Sequence, residues 1–193
     1  MQRNGSFQIT KTLRHIGLKA LTIGCFFVFA TNAWAGKSEK AHKGHKAHSH
    51  GQAKLSLVVE SAEAKTAALE FESPAESIYG FEHEAKSQKD KDAMAAGVKK
   101  LEESIGAMVK FDSKLKCTIA KVNIDPAHRE AGEKHAEVHA TFTATCEAPL
   151  AGTKVNFGFA SVFPGIKVLE VQALTATKQN AAKIKKDVGS IDL

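Results

Sequence analysis

The chain has 193 residues and a formal net charge of +6, from 27 lysines and arginines against 21 aspartates and glutamates. Four of the basic residues and none of the acidic ones lie in residues 1–35, so the rest carries 23 basic and 21 acidic side chains, a net charge of +2. Because this remainder is nearly neutral and has no basic patch with interleaved aromatics, we expect no nucleic-acid partner. Its length is enough for one domain with a modest core.

Residues 1–35 have the composition of a secretory signal peptide. Basic residues precede the apolar run 20–30, and the small residues Ala33 and Ala35 predict cleavage after Ala35. The run is shorter than the roughly 20 apolar residues that a spanning helix needs, so we expect no membrane span in the mature chain. Export is therefore predicted, with an uncleaved anchor and a lipoprotein attached through Cys25 as the alternatives.

Residues 36–52 contain no large apolar side chain and cannot join a core, so we predict a disordered tail. It contains four histidines within nine residues: His42, His45, His48 and His50. Imidazole nitrogens suit Zn²⁺, Cu²⁺ and Ni²⁺, and a histidine-rich tract favours metal binding over an inert linker. Because lysines surround these histidines, we expect a modest affinity that suits capture or buffering.

Alternation of apolar and polar residues predicts an antiparallel sheet of about six strands. The predicted strands are 53–59, 67–71, 114–124, 135–147, 155–159 and 168–176. The stretch from Lys178 onward is polar and rich in lysine, and we assign it no element. Together with two helices, these strands predict one α+β domain over residues 53–193.

One short and one long helix are predicted between the second and third strands. Ser73 supplies an N-cap, Pro74 the first helical position and Glu76 the glutamate of a capping box, for a short helix that ends at Gly80. A longer helix within 88–109 has apolar residues at steps of four and three along one face. We assign the methionines on that face to core packing.

Cys117 and Cys146 are the two cysteines outside the signal, and such a pair predicts a disulfide in an oxidising compartment. A direct hairpin register between the third and fourth strands places them opposite each other. Closing a loop of this length stabilises a fold by roughly 3 to 4 kcal/mol in the chain-entropy model. A redox dithiol is the alternative, although such pairs usually have Cys-x-x-Cys spacing.

One face of the predicted strand 135–147 has three potential metal ligands: His135, Glu137 and His139. Side chains two apart on a strand lie about 6.6 to 6.8 Å from each other on the same face, so neighbours can converge on one ion. His128, in the preceding loop, could complete such a site. Alternation also places surface histidines by chance, and His83, between the two helices, fits a solvated connection as well as a ligand.

No catalytic constellation is present in the sequence. It contains no His-Glu-x-x-His, no Gly-x-Ser-x-Gly and no phosphate-binding glycine loop, and the predicted disulfide leaves no free thiol in the mature chain. We therefore expect a protein that is not an enzyme.

Several short motifs follow one another between His48 and about Ile184. They are His48-Ser49-His50-Gly51, Ser73-Pro74-Ala75, Gly80-Phe81-Glu82-His83, Cys117, His135-Ala136-Glu137-Val138-His139, Cys146, Phe163-Pro164-Gly165-Ile166 and Val171-Gln172. In this order and spacing, the chain resembles the ZrgA-like family of periplasmic zinc-uptake proteins. Members often carry a long His- and Asp-rich insert between Asp125 and Lys134, whereas this chain has only His128 there.

The family is associated with zinc acquisition in Gram-negative bacteria, so the resemblance implies that His50, His83, His135 and His139 serve one common function in zinc binding. It also implies a periplasmic accessory protein that captures Zn²⁺ and passes it on, with a zinc transporter or another envelope component as partner. An envelope interaction module with incidental histidines and a copper- or nickel-binding protein are the alternatives. Because coordination needs neutral imidazole, metal binding should weaken as the pH falls through about 6.5.

Overall fold

The computed structural model describes residues 50–185 and 189–193, and these ranges contain nine strands and two helices. The elements are β1 Gln52–Val59, β2 Thr66–Pro74, α1 Ala75–Tyr79, α2 Gln88–Met108, β3 Val109–Phe111, β4 Thr118–His128, β5 Glu137–Thr145, β6 Lys154–Phe157, β7 Val168–Thr175, β8 Gln179–Lys185 and β9 Ser190–Asp192. The predicted α+β class is confirmed. The predicted signal peptide and the tail histidines His42, His45 and His48 lie outside the described residues.

Six strands form a main sheet in the order β4-β5-β2-β1-β7-β8, while β3, β6 and β9 form a smaller sheet. The predicted number of strands in the main sheet is confirmed, but its membership differs. The predicted strand 155–159 corresponds to β6, which pairs with β3 and β9 in the small sheet. Its apolar residues Val155 and Phe157 are buried, as the alternation predicted. The main sheet instead ends at β8, in the stretch after Lys178, where Ile184 is buried.

Pairing in the main sheet is antiparallel except between β1 and β7, which run parallel with Leu55 opposite Val171. The sequence predicted an antiparallel sheet, and this pair departs from it. Parallel neighbours need a long crossover connection, and the chain between β1 and β7 supplies one that includes both helices. Alternation of apolar residues reveals which face of a strand is buried, but not the direction of its neighbour.

The predicted long helix is confirmed as α2, which spans Gln88–Met108. Its buried apolar residues, Leu101, Ile105 and Met108, join the same core as the buried face of the main sheet. Ser87 caps the helix and forms a reciprocal capping box with Asp90. Across residues 50–185 and 189–193, no helix combines the length and apolar character needed to cross a membrane.

The start of α1 differs from the prediction. Strand pairing between β2 and β5 continues to Pro74, so Ser73 is buried opposite Val138 and Pro74 occupies the N-cap position without a side-chain cap. The predicted capping box is therefore wrong, because sheet pairing takes the residue that would have capped the helix. Glu76 is exposed, and its carboxylate contacts another part of the chain.

A glycine lets α1 lie directly against α2. A Cβ atom at Gly97 would lie 2.8 Å from Cβ of Tyr79 and 3.0 Å from the carbonyl oxygen of Ile78. Any larger residue at position 97 would push the two helices apart. Because Glu76 lies on α1, such a change would also move Glu76.

The predicted disulfide between Cys117 and Cys146 is confirmed. Thr118 lies opposite Thr145, so the two cysteines close the end of the β4–β5 hairpin one residue beyond its last pair. The third strand begins later than predicted, because residues 113–115 form a single 3-10 turn and Lys116 has a φ of 46°.

Candidate metal centre

Four side chains from separate parts of the chain meet beside the start of β1: His50, Glu76, Glu82 and His135, which we call the first cluster. Nδ1 of His50 lies 3.0 Å from Oε2 of Glu76 and 3.8 Å from Oε1 of Glu82. Nδ1 of His135 donates to the other carboxylate oxygen of Glu82, Oε2. The Glu82 carboxylate therefore lies between two imidazoles.

Backbone contacts hold Glu82 in this position. Gly80 ends α1 with a φ of 94° and turns the chain toward Glu82, whose side chain is only 8% exposed. The carbonyl oxygen of Glu82 accepts hydrogen bonds from the backbone nitrogen of Ala136 at 3.2 Å and from Nη2 of Arg129 at 2.7 Å. The backbone of Glu82 is therefore held by bonds that a change of its side chain leaves in place.

His50 is joined to the fold by the glycine that follows it. Gly51 has a φ of 74°, and its carbonyl oxygen accepts hydrogen bonds from the backbone nitrogens of Lys167 at 2.7 Å and Val168 at 3.0 Å. A Cβ atom at Gly51 would lie 2.9 Å from the carbonyl oxygen of Gly165. The sequence predicted that His50 belongs to the tail, whereas the structure places it in a turn that leads into β1.

The spacing of the ligand atoms in the first cluster suits a four-coordinate zinc ion. Bonds of about 2.0 to 2.1 Å in a tetrahedron place ligand atoms roughly 3.3 Å apart, and the two His50 distances of 3.0 and 3.8 Å bracket this value. One ligand atom from each of His50, Glu76 and Glu82 lies within 4.8 Å of the others. Two carboxylates and two neutral imidazoles carry a charge of −2, which balances a divalent cation.

The β4–β5 hairpin carries a second cluster, consisting of Asp125, His128, Glu137 and His139. Nδ1 of His128 donates to Oδ2 of Asp125 at 3.1 Å, and Nε2 of His139 donates to Oε2 of Glu137 at 3.0 Å. The two imidazole rings stack with their centroids 4.0 Å apart. The structure therefore divides the predicted strand group, since His135 lies in the first cluster and Glu137 and His139 lie in the second.

A row of alternating charge crosses all six strands of the main sheet at the level of His139. Neighbouring positions in the register are occupied by Asp125, His139, Glu72, Lys54, Glu170 and Lys183. A hydrogen bond to Glu72 raises the pKa of Lys54, and a hydrogen bond from Lys183 lowers the pKa of Glu170. His139 therefore has an acidic residue opposite it on each neighbouring strand.

His83 lies apart from the contacts that define both clusters. Its side chain is 63% exposed, with Nε2 3.6 Å from Oδ2 of Asp90 and its ring 4.6 Å from the ring of Phe81. A hydrogen bond from Ser87 lowers the pKa of Asp90, and His83 contributes in the same direction. The structure thus places His83 beside the start of α2 rather than with His50, His135 or His139.

The sequence patterns singled out the histidines and Glu137, but not the other carboxylates that accompany them, Glu76, Glu82 and Asp125. The sequence predicted Glu76 as part of a capping box, and Glu82 appeared only within the motif Gly80-Phe81-Glu82-His83. The available signal for Glu82 was its place two residues after Gly80, the glycine that ends α1. Asp125 stands three residues before His128, a local spacing that brings their side chains into contact.

Tyr79 links α1 to β4 between the two clusters. Its hydroxyl donates to the carbonyl oxygen of Pro126 at 2.7 Å. Burial raises the pKa of Tyr79 to about 12, and the negative charges of Glu82 and Asp125 act in the same direction. The folded state favours the neutral phenol of Tyr79. The contribution of this group to the free energy of unfolding is therefore fully present below the unfolded pKa of about 10, and it is lost as the pH rises through about 12.

We expect the Tyr79 phenol to titrate near pH 12 in the native protein and near pH 10 in denaturant. Tyr79 is the only tyrosine in the chain, so the near-ultraviolet absorbance of tyrosinate reports on this residue alone. Tyr79→Phe should remove the signal completely and serves as the baseline. A native midpoint near pH 10 would contradict the buried, hydrogen-bonded position.

Comparison with known families matches residues 47–193 to one described as the ZrgA family zinc uptake protein. The matched range contains both clusters and every residue that the structure describes. A search of curated proteins finds no match.

Proposed function

The chain belongs to the ZrgA family of zinc uptake proteins, and from this premise we propose that it is a periplasmic accessory protein that captures Zn²⁺ and passes it on. The observation that carries the proposal is the Glu82 carboxylate, which contacts the imidazoles of both His50 and His135. In this proposal His50, Glu76 and Glu82 bind the ion. His135 holds the second oxygen of Glu82 and so orients the carboxylate.

The exposure of the first cluster supports capture from solution. The side chains of His50 and Glu76 are 67% and 55% exposed, whereas Glu82 lies beneath them. An ion can therefore approach from solvent and leave by the same route. Imidazole and carboxylate ligands are available without the thiolates that would hold zinc more permanently, since the cysteines in the described residues form a disulfide.

The proposal also includes removal of residues 1–35 as a signal peptide and delivery of zinc by the segment that follows. His42, His45 and His48 precede His50 directly in sequence. A zinc ion held by these histidines would already be tethered to the first cluster, which raises its effective concentration there. A zinc transporter or another envelope component would receive the ion.

We propose zinc as the metal because the matching family is described as a zinc uptake protein. Imidazole and carboxylate groups also bind Cu²⁺ and Ni²⁺, and Cu²⁺ generally binds such sites more tightly than Zn²⁺. Selection of zinc by the cell therefore depends on metal availability as well as on the site. Titrations with all three metals would measure the preference.

The decisive experiment is a calorimetric zinc titration of the chain from residue 36 onward, with and without the tail histidines. The variant His42→Ala/His45→Ala/His48→Ala keeps the chain length and leaves His50 in place. We expect it to lose weak binding and to retain tight binding, because the first cluster is intact. Loss of all zinc binding in this variant would overturn the proposal for the folded domain and leave the tail as the ligand source.

The same titration tests the alternative of an interaction module with incidental histidines. That alternative predicts no tight zinc binding in the triple variant and no change of stability on adding zinc. A ligand that binds only the folded state raises the melting temperature, so zinc-dependent thermal stabilisation of the triple variant would count against it.

A further inference from the structure

We propose that the outer face of the main sheet, the face turned away from the core, is a docking surface for a second copy of this chain. The two copies would meet face to face about a two-fold axis that runs parallel to the strands, between β1 and β2. Such an axis reverses the strand order, so β2 of one copy would lie over β1 of the other. The inference concerns protein association and is independent of where zinc binds.

Three complete rows of side chains cross all six strands on the outer face. The first is the charged row at the level of His139, and on β1 its Lys54 alternates with the buried Leu55. The second row is polar and the third is largely apolar. From β4 to β8 these two rows are Asn123, Thr141, Glu70, Ser56, Gln172 and Ala181, and then Ala120, Thr143, Ala68, Val58, Leu174 and Gln179.

The outer face is open to solvent. The side chain of Lys54, at its centre, is 51% exposed. Leu174, in the apolar row, is 49% exposed, and in the part of the chain that the structure describes only Val122 is a more exposed large apolar residue. A second copy docked on this face would remove Leu174 from water, and burial of apolar area favours association.

The charged row is complementary to its own reversal. From β4 to β8 it consists of Asp125, His139, Glu72, Lys54, Glu170 and Lys183. The two-fold axis would place the first position over the sixth of the second copy, the second over the fifth and the third over the fourth. Asp125 would then face a lysine, Glu72 would face Lys54, and His139 would face Glu170. A dimer that uses the same surface on both copies requires such self-complementarity.

The other two rows are compatible with the same axis. In the apolar row, Ala68 would face Val58 of the second copy and Thr143 would face Leu174. The polar row contains one charged residue, Glu70, which would face a serine. None of the three rows therefore brings two charges of the same sign together. The apolar contacts would supply buried area, whereas the charges would fix the register and disfavour other orientations.

Contacts within each copy prepare the centre of the interface. Nζ of Lys54 donates to Glu72 at 3.0 Å, and Nζ of Lys183 donates to Glu170 at 2.9 Å. In the dimer, the Lys54–Glu72 pairs of both copies would form one network of four alternating charges at the two-fold axis. Each charge would keep its partner within the chain and gain a second one across the interface. No charge is then buried without a partner, which is the costly case.

The size of the outer face fits a stable but reversible dimer. Six strands about 4.8 Å apart and three rows about 6.8 Å apart make a surface of roughly 29 Å by 20 Å. Contact between two such surfaces would bury about 1,200 Å² in total, at the lower end of the range for specific interfaces. Sheets that pack face to face in this way keep their strands within about 30° of each other, which lets the central rows stay aligned.

The test is analytical ultracentrifugation of the chain from residue 36 onward, at about 1 to 200 μM and with a metal chelator present. The chelator excludes association through bridging zinc ions. The unchanged protein should pass from monomer to dimer over this range, and added salt should weaken the dimer because charged pairs contribute to it. A monomer at every concentration would contradict the proposal and leave the outer face to a different partner.

Two charge reversals distinguish the outer face from other surfaces. Lys54→Glu would place an acid opposite Glu72 of the second copy, and Glu72→Lys would place a base opposite Lys54. Each clash occurs twice because the dimer is symmetric, so each variant alone should dimerise about 100-fold more weakly. An equimolar mixture of the two variants should dimerise again, because both substituted residues then meet opposite charges. Effects within one chain cannot produce this recovery, since the pair inside each chain stays broken.

Lys99→Glu and Glu103→Lys are the matched control variants. Lys99 and Glu103 pair at 3.8 Å on α2, which packs on the core side of the main sheet. Alone or mixed, these variants should dimerise as the unchanged protein does. A dimer of unchanged affinity in Lys54→Glu, or a mixture of the outer-face variants that stays monomeric, would place the contact elsewhere, such as the edge strand β4, and would refute the proposal.

Circular dichroism and thermal melting would show whether each variant folds. If a single variant does not fold, methyl NMR spectra of the unchanged protein at increasing concentration provide a second measurement. The signals of Val58 and Leu174 should move as the dimer forms, whereas that of the core residue Leu101 should not; unmoved Val58 and Leu174 signals in a dimer would exclude the outer face. Zinc titrations report separately on the first cluster, so failure of that site would leave the dimer unchanged.

Discussion

Replacing Glu82 by glutamine should lower the zinc affinity of the folded domain by about 100-fold or more. The change removes the charge that lies between His50 and His135, and it leaves a neutral amide in a side chain that is 8% exposed. Glutamine has nearly the same shape, and the backbone bonds of residue 82 to Ala136 and Arg129 remain. Calorimetry on the variant without tail histidines would measure the change.

Glu84→Gln is the control for Glu82→Gln. Glu84 lies in the same loop and carries the same charge, but its side chain is 75% exposed and pairs with Lys86 at 3.3 Å. We expect its zinc affinity to equal that of the parent. A tight-site affinity in Glu82→Gln within about threefold of the parent would show that this carboxylate is not a ligand, since a lost charged ligand costs far more than that.

Replacing both Cys117 and Cys146 by alanine should lower the free energy of unfolding by about 3 to 4 kcal/mol. The disulfide joins residues 29 apart in sequence, and its loss lets the unfolded chain expand. Urea unfolding of the variant and of the unchanged protein, each with and without reductant, would measure the loss. Reductant should destabilise the unchanged protein by a similar amount and leave the variant unaffected.

This variant also separates stability from metal binding. The disulfide closes one end of the β4–β5 hairpin, whereas Asp125 and His139 pair toward the other end. At a temperature where the alanine variant is folded, its zinc affinity should therefore match that of the parent. A stability loss below about 1 kcal/mol would contradict the role assigned to the disulfide.

Local patterns in the sequence predicted the elements well where burial alone determines them. Apolar alternation identified β1, β2 and β7, and apolar steps of three and four residues identified α2. The two cysteines outside the signal predicted the disulfide between Cys117 and Cys146. Long-range pairing was harder. The parallel neighbours β1 and β7 and the small sheet depend on contacts between distant segments, and the short strands β3 and β9 have only three residues each in which to show a pattern.

The candidate site shows the same division between local and long-range information. Spacing along a strand showed that His135, Glu137 and His139 face one way, but not which neighbours each would meet. His135 precedes β5 and contacts Glu82, whereas Glu137 and His139 lie within β5, opposite His128 and Asp125 of β4. Glu76 joined the first cluster because strand pairing displaced the predicted capping box, an effect that arises only in the folded chain.

The bond from Tyr79 to Pro126 gives the protein an intrinsic optical probe. The chain contains one tryptophan, Trp34, which lies within the segment assigned to the signal peptide. A chain that begins at residue 36 would therefore have Tyr79 as its main fluorophore, anchored by its bond to Pro126 and subject to the charges of Glu82 and Asp125. Changes in its emission could follow the arrival and departure of metal in real time, without any attached dye.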